Sequence, residues 1–385
     1  MKKFFMIAVL ALTAVVAMAQ QALFDSSRVT SPKINADGSV TFSLVAPDAQ
    51  DVKITSSEMF PEGSHEVAMV KGADGVWTYT SPVLKPELYL YNFLVDGVKV
   101  TDPSNVYMIR DIASVFSTFI VGGEQTDYYK VQNVPHGSVT RMWYDSPTLG
   151  MKRRLTVYTP AGYETSTSRY PVFYLLHGMG GDEEAWMALG RASQILDNLI
   201  AQGKAKPMIV VMTNGNASEE AAPGETQYNM LVPTTKLPKT MDGAFEMAFP
   251  EVVKFIDNTF RTIPEKHSRA IAGLSMGGFH SLHISKYNPD MFDYVGLFSA
   301  AIFKEGAKSP IYDDFEGRLK AQFAKKPALY YIAIGKDDFL YNANKEFRAI
   351  LDKNHLPYHY VESTGGHQWR NWRIYLTDFA PRLFH

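Results

Sequence analysis

The stretch Arg269-Ala-Ile-Ala-Gly-Leu-Ser-Met-Gly-Gly278 decides the fold of the larger part of this chain. It holds a G-x-S-x-G motif between an apolar run, which predicts a buried strand, and a stretch of helical character that ends before Pro289. Glycines around the serine permit a sharp strand-to-helix turn, because side chains there would collide with neighbouring strands. The backbone N–H groups at the start of a helix favour negative charge. In this setting the motif predicts that Ser275 is a nucleophile, and not an inert serine in a glycine-rich turn.

The residues on both sides of the motif alternate between apolar runs and helical stretches. Continuous apolar runs lie at residues 172–176, 207–212, 294–298 and 328–334. Strands that are apolar throughout are typical of a parallel sheet covered by helices on both faces. We therefore predict an α/β-hydrolase fold, with a mostly parallel sheet flanked by helices, over residues 136–385.

The preceding region has a different pattern, with short runs in which apolar and polar residues tend to alternate. Alternating runs at residues 40–45, 76–79 and 89–95 are separated by turn signals such as Asp74-Gly75 and Asp96-Gly97. Short strands at this spacing are typical of a β-sandwich of about 100 residues. We predict an immunoglobulin-like sandwich over residues 22–123 and a linker over residues 124–135.

The first nineteen residues predict a signal peptide. Lys2 and Lys3 precede an apolar run that is too short to span a bilayer, and Ala17-Met18-Ala19 offers a small-x-small cleavage site. We expect export to the periplasm or the cell exterior, and no membrane span. The chain has no cysteine, which excludes disulfides, thiolate zinc sites and a cysteine nucleophile. A net charge of -2 gives no support for nucleic-acid binding.

A serine nucleophile that attacks a carbonyl needs two N–H donors for the oxyanion that develops. The first predicted donor is the backbone N–H of Met276. The second is expected in the glycine-rich loop that follows the apolar run at residues 172–176, and the backbone N–H of Met179 is placed for it. His177 in the same loop precedes the serine in the chain, so a structural role is favoured over that of the base.

The serine also needs a base and an acid, which follow it in the chain order of this fold. His367 lies just past a predicted strand, whereas His355 precedes that strand and His359 falls within it. Asp337 and Asp338 both follow the strand at residues 328–334, and the residues alone leave the choice between these two aspartates open. No metal or organic cofactor is predicted, although His280 and His283 share a helix face. The sequence shows no carboxylate partner for that pair.

Together these segments resemble carbohydrate esterase family 1, the feruloyl and acetylxylan esterases related to esterase D. Residues 174–181, 269–278, 334–338 and 365–369 carry the resemblance. It implies a triad of Ser275, His367 and Asp338. Two residues depart from the usual sequence pattern of the family: Gln368, where the family often has an acid, and Lys336 in the acid loop. Neither change replaces a catalytic group.

The alternating region resembles the early-set modules related to carbohydrate-binding module family 48. The resemblance lies in residues 74–77, 88–97 and 101–105. Trp77, Tyr89 and Tyr91 could stack on sugar rings, but alternating aromatic residues in a strand more often form core and cross-strand pairs.

The resemblance implies a hydroxycinnamoyl (feruloyl) ester of plant arabinoxylan as the substrate. Alternatives are an acetylxylan esterase, a siderophore esterase of the enterochelin type, and a glycan-binding protein on an inactive hydrolase scaffold. Trp186, Tyr228 and Trp369 are candidate contacts for a planar acyl group or a sugar. The partner is accordingly expected to be a feruloylated or acetylated polysaccharide or oligosaccharide.

Overall fold

The computed structural model describes residues 29–60, 64–227, 233–235, 238–303 and 309–385. The predicted signal peptide lies outside the described residues. The chain divides into two compact units. Unit 1 comprises the residues up to Lys85, Tyr89–Met108 and Ser117–Phe119, and unit 2 comprises Pro86–Leu88, Ile109–Phe116 and Ile120–His385.

Two sheets carry the N-terminal part of the described chain. The first has the strand order β1-β2-β6-β5, and the second has the order β4-β3-β7-β10-β9 with β8 paired to β7. The strands are β1 Lys33–Ile34, β2 Val40–Val45, β3 Val52–Thr55, β4 Glu66–Ala68, β5 Val70–Lys71, β6 Val76–Thr80, β7 Glu87–Val95, β8 Val98–Val100, β9 Met108–Asp111 and β10 Ser114–Val121.

Aromatic side chains join these two sheets within unit 1. The ring of Phe42 on β2 lies 4.9 Å from that of Tyr91 on β7 and 5.6 Å from that of Phe119 on β10. Trp77, Tyr89 and Tyr91 are all buried, and the Tyr91 hydroxyl donates a hydrogen bond to Asp102 at 2.7 Å. The three aromatic residues are therefore packing residues, in agreement with the structural role that the sequence favoured.

Unit 2 is built on one mixed sheet of eight strands in the order β11-β12-β14-β13-β15-β16-β17-β18. From β14 to β18 neighbouring strands are parallel, whereas β12 is antiparallel to both β11 and β14. Every residue of β13, β14 and β16 is buried, as the continuous apolar runs predicted. The strands are β11 Ser138–Ser146, β12 Met151–Thr159, β13 Val172–Leu176, β14 Ile209–Thr213, β15 Arg269–Leu274, β16 Tyr294–Phe298, β17 Leu329–Gly335 and β18 His359–Ser363.

Helices cover this sheet, and the helix Met276–Tyr287 begins directly after the strand Arg269–Leu274. Because the strands from β14 to β18 are parallel, their carboxyl ends share one edge of the sheet, where α/β proteins build their sites. The helices are α1 Thr126–Tyr129, α2 Ala185–Ala188, α3 Ala192–Ala201, α4 Ala244–Thr259, α5 Met276–Tyr287, α6 Phe315–Ala324, α7 Tyr341–Lys353 and α8 Trp369–Phe379. Among the described residues, none of the helices has both the length and the apolar character needed to cross a membrane.

The predicted linker at residues 124–135 is folded as part of unit 2. It contains α1, and the Tyr129 hydroxyl donates to the carboxylate of Glu87. The same carboxylate accepts a hydrogen bond from Arg373 at 2.9 Å. Asn198 donates to the carbonyl of Tyr128 at 2.8 Å. The segment thus differs from a free linker, because a buried ion pair and a buried amide fix its backbone.

Candidate active site

Ser275 occupies a strained turn between β15 and α5. Its backbone has φ 52° and ψ -114°, a region that residues with a Cβ atom rarely adopt. The Ser275 N–H donates to the carbonyl of Phe298 at 2.9 Å, and its carbonyl accepts hydrogen bonds from the N–H groups of Phe279 and Ala301. These bonds hold the strained conformation on both sides of the serine.

The glycines of the motif are required by close backbone contacts. A side-chain carbon at Gly277 would lie 2.5 Å from the carbonyl oxygens of Leu176 and His177, and one at Gly273 would lie 2.4 Å from the Gly277 carbonyl carbon. Real side-chain carbons do not approach backbone atoms this closely. The collision that the sequence predicted is therefore present, and it brings the end of β13 against the serine turn.

The loop after β13 lies beside the serine. A side-chain carbon at Gly178 would be 3.3 Å from the Cβ atom of Ser275. Met276 is the first residue of α5, so its N–H belongs to the turn that has no intrahelical acceptor. The structure therefore brings together the two segments in which the oxyanion donors, Met276 and Met179, were predicted.

His177 is a buried part of the framework of this loop. Its Nδ1 donates to the carbonyl of Gly178 at 2.7 Å, and its Nε2 accepts from the N–H of Gly215 at 2.7 Å. Burial lowers the pKa of His177 to about 4, so the ring is neutral near pH 7. Both ring nitrogens are engaged with the backbone, which agrees with the predicted structural role.

Asp338 and His367 form a hydrogen-bonded pair at the carboxyl ends of β17 and β18. The His367 Nδ1 lies 2.9 Å and 3.1 Å from the two Asp338 carboxylate oxygens. The carboxylate is fully buried and also accepts the N–H of Leu340 at 2.9 Å. Nδ1 must carry the proton that faces the carboxylate, which leaves Nε2 as the basic nitrogen of the ring.

The neighbouring aspartate has a different position. The Asp337 carboxylate accepts the backbone N–H of Gly365 at 3.1 Å and so braces the loop that carries His367. His355 and His359 lie at the amino end of β18, the edge opposite to the carboxyl ends. Of the two aspartates that the residues alone left open, the structure places Asp338 against His367.

Two of the predicted substrate contacts can be located. Trp186 is only 1% exposed, donates its indole N–H to the carbonyl of Leu176 at 2.9 Å and packs edge-on against Trp369 at 5.3 Å. Its prediction as a contact is therefore corrected, because a buried side chain offers a ligand almost no surface. Trp369 is half-buried at the start of α8. The third predicted contact, Tyr228, lies outside the described residues.

Sequence reasoning missed the contribution of the turn between β9 and β10. A side-chain carbon at Gly180 would lie 2.9 Å from the side chain of Ile112, which itself has φ 50°. Arg110 donates to the Ile112 carbonyl at 2.8 Å and forms an ion pair with the buried carboxylate of Asp182. These residues belong to unit 2 but fall inside the sequence of the predicted sandwich, and no motif marks them.

The helical pair His280 and His283 is buried on α5, the helix that begins after Ser275. His280 Nδ1 is 2.9 Å from Glu246, a carboxylate partner on α4 that the sequence did not reveal, and His283 packs against the ring of Phe279. Within the described ranges, no group of three or more His, Asp or Glu side chains is arranged to hold a metal ion.

The Esterase family model matches residues 146–383. An endo-1,4-beta-xylanase/feruloyl esterase of Xylanibacter ruminicola is 29% identical over 359 residues, which are 92% of this chain and 46% of that protein. This chain thus spans about half the length of that relative.

Two solved structures are also similar. A ferulic acid esterase is 28% identical with a TM-score of 0.54 and covers 64% of this chain and 97% of its own. The enterochelin esterase of Shigella flexneri is alike in fold, with 16% identity and a TM-score of 0.64 over 96% of this chain and 98% of its own. The predicted resemblance to carbohydrate esterase family 1 is confirmed by the first of these structures and by the xylanase/feruloyl esterase. Since the family model covers more than half of its residues, this chain belongs to the Esterase family.

Proposed function

We propose that this protein is a serine esterase that removes feruloyl groups from plant cell-wall arabinoxylan through an acyl-enzyme. The observation that carries the proposal is the strained Ser275 turn, with the Gly178 loop on one side and the N terminus of α5 on the other. Two relatives, one named a xylanase/feruloyl esterase and one a ferulic acid esterase, support feruloyl as the acyl group.

The proposed reaction uses the hydrogen-bonded Asp338–His367 pair as base and acid. His367 Nε2 accepts the proton of the Ser275 hydroxyl as the serine oxygen attacks the ester carbonyl. The N–H groups of Met276 and Met179 donate to the oxyanion, and Asp338 stabilises the imidazolium. The imidazolium then protonates the departing sugar oxygen.

The second half of the reaction releases the acid. His367 takes a proton from water as the water oxygen attacks the acyl-enzyme carbonyl, and the collapse of the intermediate returns a proton to Ser275 and frees ferulate. The ester and one water molecule supply every atom that the two half-reactions consume.

A planar acyl group suits the apolar side chains beside His367. Phe339 is 76% exposed, and its ring lies 4.5 Å from that of His367. The Met179 side chain is also exposed, and Trp369 is half-buried on α8. Exposed apolar side chains at a catalytic edge provide surface that a hydroxycinnamoyl ring can cover. We assign Phe339, Met179 and Trp369 to acyl contact.

Two finer assignments belong to the same proposal. The facing sheets of unit 1 support an immunoglobulin-like sandwich module. Export by a cleaved signal peptide is supported by the sequence at residues 1–19 and by the polysaccharide nature of the substrate.

The test is ferulate release from methyl ferulate and from feruloylated arabinoxylan by the wild type, Ser275→Ala and Ser285→Ala. Ser285 lies in the last turn of the same helix, so its substitution controls for the loss of a hydroxyl from α5. We expect Ser275→Ala to lose about 10^4- to 10^6-fold in kcat, and Ser285→Ala to stay within tenfold of the wild type. Folded wild type that releases acetate from acetylated xylan but no ferulate would replace the feruloyl assignment with an acetylxylan esterase.

A further inference from the structure

A groove of about 800 Å³ lies on unit 2 beside the hairpin formed by β11 and β12. Its lining includes Trp143, Lys152, Glu220, Glu225, Thr226 and Gln227. We propose that this groove is a second binding site, which holds a stretch of neutral polysaccharide backbone while the esterified sugar occupies the catalytic site. The inference rests on the proposed function for the identity of the polysaccharide, a β-1,4-linked xylan.

Trp143 supplies the apolar wall of the groove. It lies on β11, the outermost strand of the eight-stranded sheet, and is 46% exposed. A large aromatic side chain that remains exposed at a groove is a candidate for ligand contact. The apolar C–H face of a sugar ring can cover an indole ring and remove its surface from water.

The rest of the lining is mostly a loop, residues 218–227, which hydrogen bonds join to β12. The Arg154 N–H donates to the Glu220 carbonyl at 2.7 Å, and the Arg154 guanidinium lies 3.0 Å from the Glu225 carboxylate. The backbone and side-chain N–H groups of Gln227 donate to the Glu220 carboxylate at 3.1 Å and 2.8 Å. A wall ordered before the ligand arrives lowers the entropic cost of binding.

The charges of the groove favour a neutral ligand rich in hydroxyl groups. Lys152 brings one positive charge, and Glu220 and Glu225 each bring one negative charge. The Arg154 guanidinium beside Glu225 also pairs with Glu183 and Glu184, so it adds no free positive charge to the groove. Hydroxyl groups can donate to these carboxylates and accept from the lysine and from the Gln227 amide. A phosphate or a nucleic acid would meet two carboxylates without an excess of positive charge.

The groove and Ser275 share one edge of the sheet. Because β12 is antiparallel to β14, Met151 at the start of β12 lies at the edge where the parallel strands end. Four strand spacings separate β11 from β15 in the sheet, which is about 19 Å. A few sugar rings of an extended chain span such a distance, so one polysaccharide can reach both sites.

A second site on the same polymer raises the local concentration of ester groups at the serine. The groove should therefore lower the KM for the polymer without changing the rate of the chemical step. It should have no effect on methyl ferulate, which is too small to reach both sites.

The binding test uses the full chain carrying Ser275→Ala and a linear xylo-oligosaccharide without ester groups, measured by calorimetry. We expect binding that weakens about tenfold or more with the additional Trp143→Ala change and is largely kept with Trp143→Phe. The matched control is Val139→Ala, an exposed residue of the same strand that does not line the groove, and it should bind like the parent. Equal thermal melting of the variants shows that they are folded.

The kinetic test uses the active enzyme with each of the same three changes. Trp143→Ala should raise the KM for feruloylated arabinoxylan about tenfold with an unchanged kcat, and should leave methyl ferulate hydrolysis unchanged. Oligosaccharide binding that is absent in the parent, or equally strong in Trp143→Ala, would overturn the groove assignment whatever the esterase activity. Binding that depends on Trp143 in a protein without ferulate release would keep the groove and refute the proposed feruloyl activity instead.

Discussion

Replacing Asp338 by asparagine should invert the proton arrangement of His367, the proposed catalytic base. The backbone N–H of Leu340 donates to Oδ1 of Asp338 at 2.9 Å, so an asparagine would keep its carbonyl oxygen there and turn its NH₂ group toward His367. Nδ1 of His367, now facing a donor at about 3 Å, would lose its proton to Nε2. A histidine protonated at Nε2 cannot accept the proton of Ser275 near pH 7.

The predicted loss is about 10^4-fold in kcat for methyl ferulate, with KM changed by less than about threefold, because the acyl contacts remain. Asp337→Asn is the matched control. Its carboxylate accepts the Gly365 N–H, a bond that an asparagine carbonyl can also make, so kcat should fall by less than about tenfold. Steady-state kinetics of the two variants tests whether Asp338 is the acid partner of His367. Equal losses in both, or an Asp338→Asn enzyme within tenfold of the wild type, would refute the assignment of the acid.

Three further changes test the framework of the site. Gly277→Ala should lower the free energy of unfolding by about 1–3 kcal/mol, because its side-chain carbon would lie 2.5 Å from two carbonyl oxygens; an unchanged denaturation midpoint would contradict this. Arg110→Ala leaves the buried carboxylate of Asp182 without its ion pair and removes the hydrogen bond to the Ile112 carbonyl. We therefore expect kcat/KM for methyl ferulate to fall about tenfold, and a wild-type value would contradict the role of the turn. The pKa of His177 is about 4 in the folded protein and about 6.5 in the unfolded chain. Between these two pH values the unfolded chain binds more protons than the folded protein, so the free energy of unfolding decreases as the pH falls. Urea denaturation should show a loss of about 3 kcal/mol from this group between pH 7 and pH 4, and His177→Asn should remove that part of the pH dependence.

The features of this chain that could be predicted are those with a local cause. The collision at Gly277 is set by atoms within a few residues of the serine turn and by one neighbouring strand, so the G-x-S-x-G motif was sufficient to predict it. The position of His367 followed from the rule that parallel strands end at one edge. The same rule could not separate Asp337 from Asp338, since both follow β17. Only their hydrogen-bond partners differ.

The features that escaped prediction depend on contacts between distant parts of the sequence. Residues 124–135 are predicted as a linker because the alternating strand pattern ends just before them, yet Tyr129 shares the Glu87 carboxylate with Arg373, which lies 286 residues away from Glu87 in the chain. Trp186 follows the glycine-rich loop at residues 178–181, and nothing local shows that its indole N–H donates to the carbonyl of Leu176. A tryptophan whose polar atom finds a buried acceptor becomes part of the core.

The loop that is proposed to hold the oxyanion is fixed from two sides, and each side comes from a different region of the sequence. Gly277 lets the serine turn press against the end of β13, while Ile112 fills the space next to Gly180. Met179 lies between these contacts, and its N–H must be placed within about 0.5 Å to serve an oxyanion. Enlarging either contact would push the loop toward the other, which is itself closely packed. The precision of this donor therefore depends on the β9–β10 turn as much as on the nucleophile motif, and a change of side-chain volume at Ile112 should alter kcat even though Ile112 belongs to no catalytic motif.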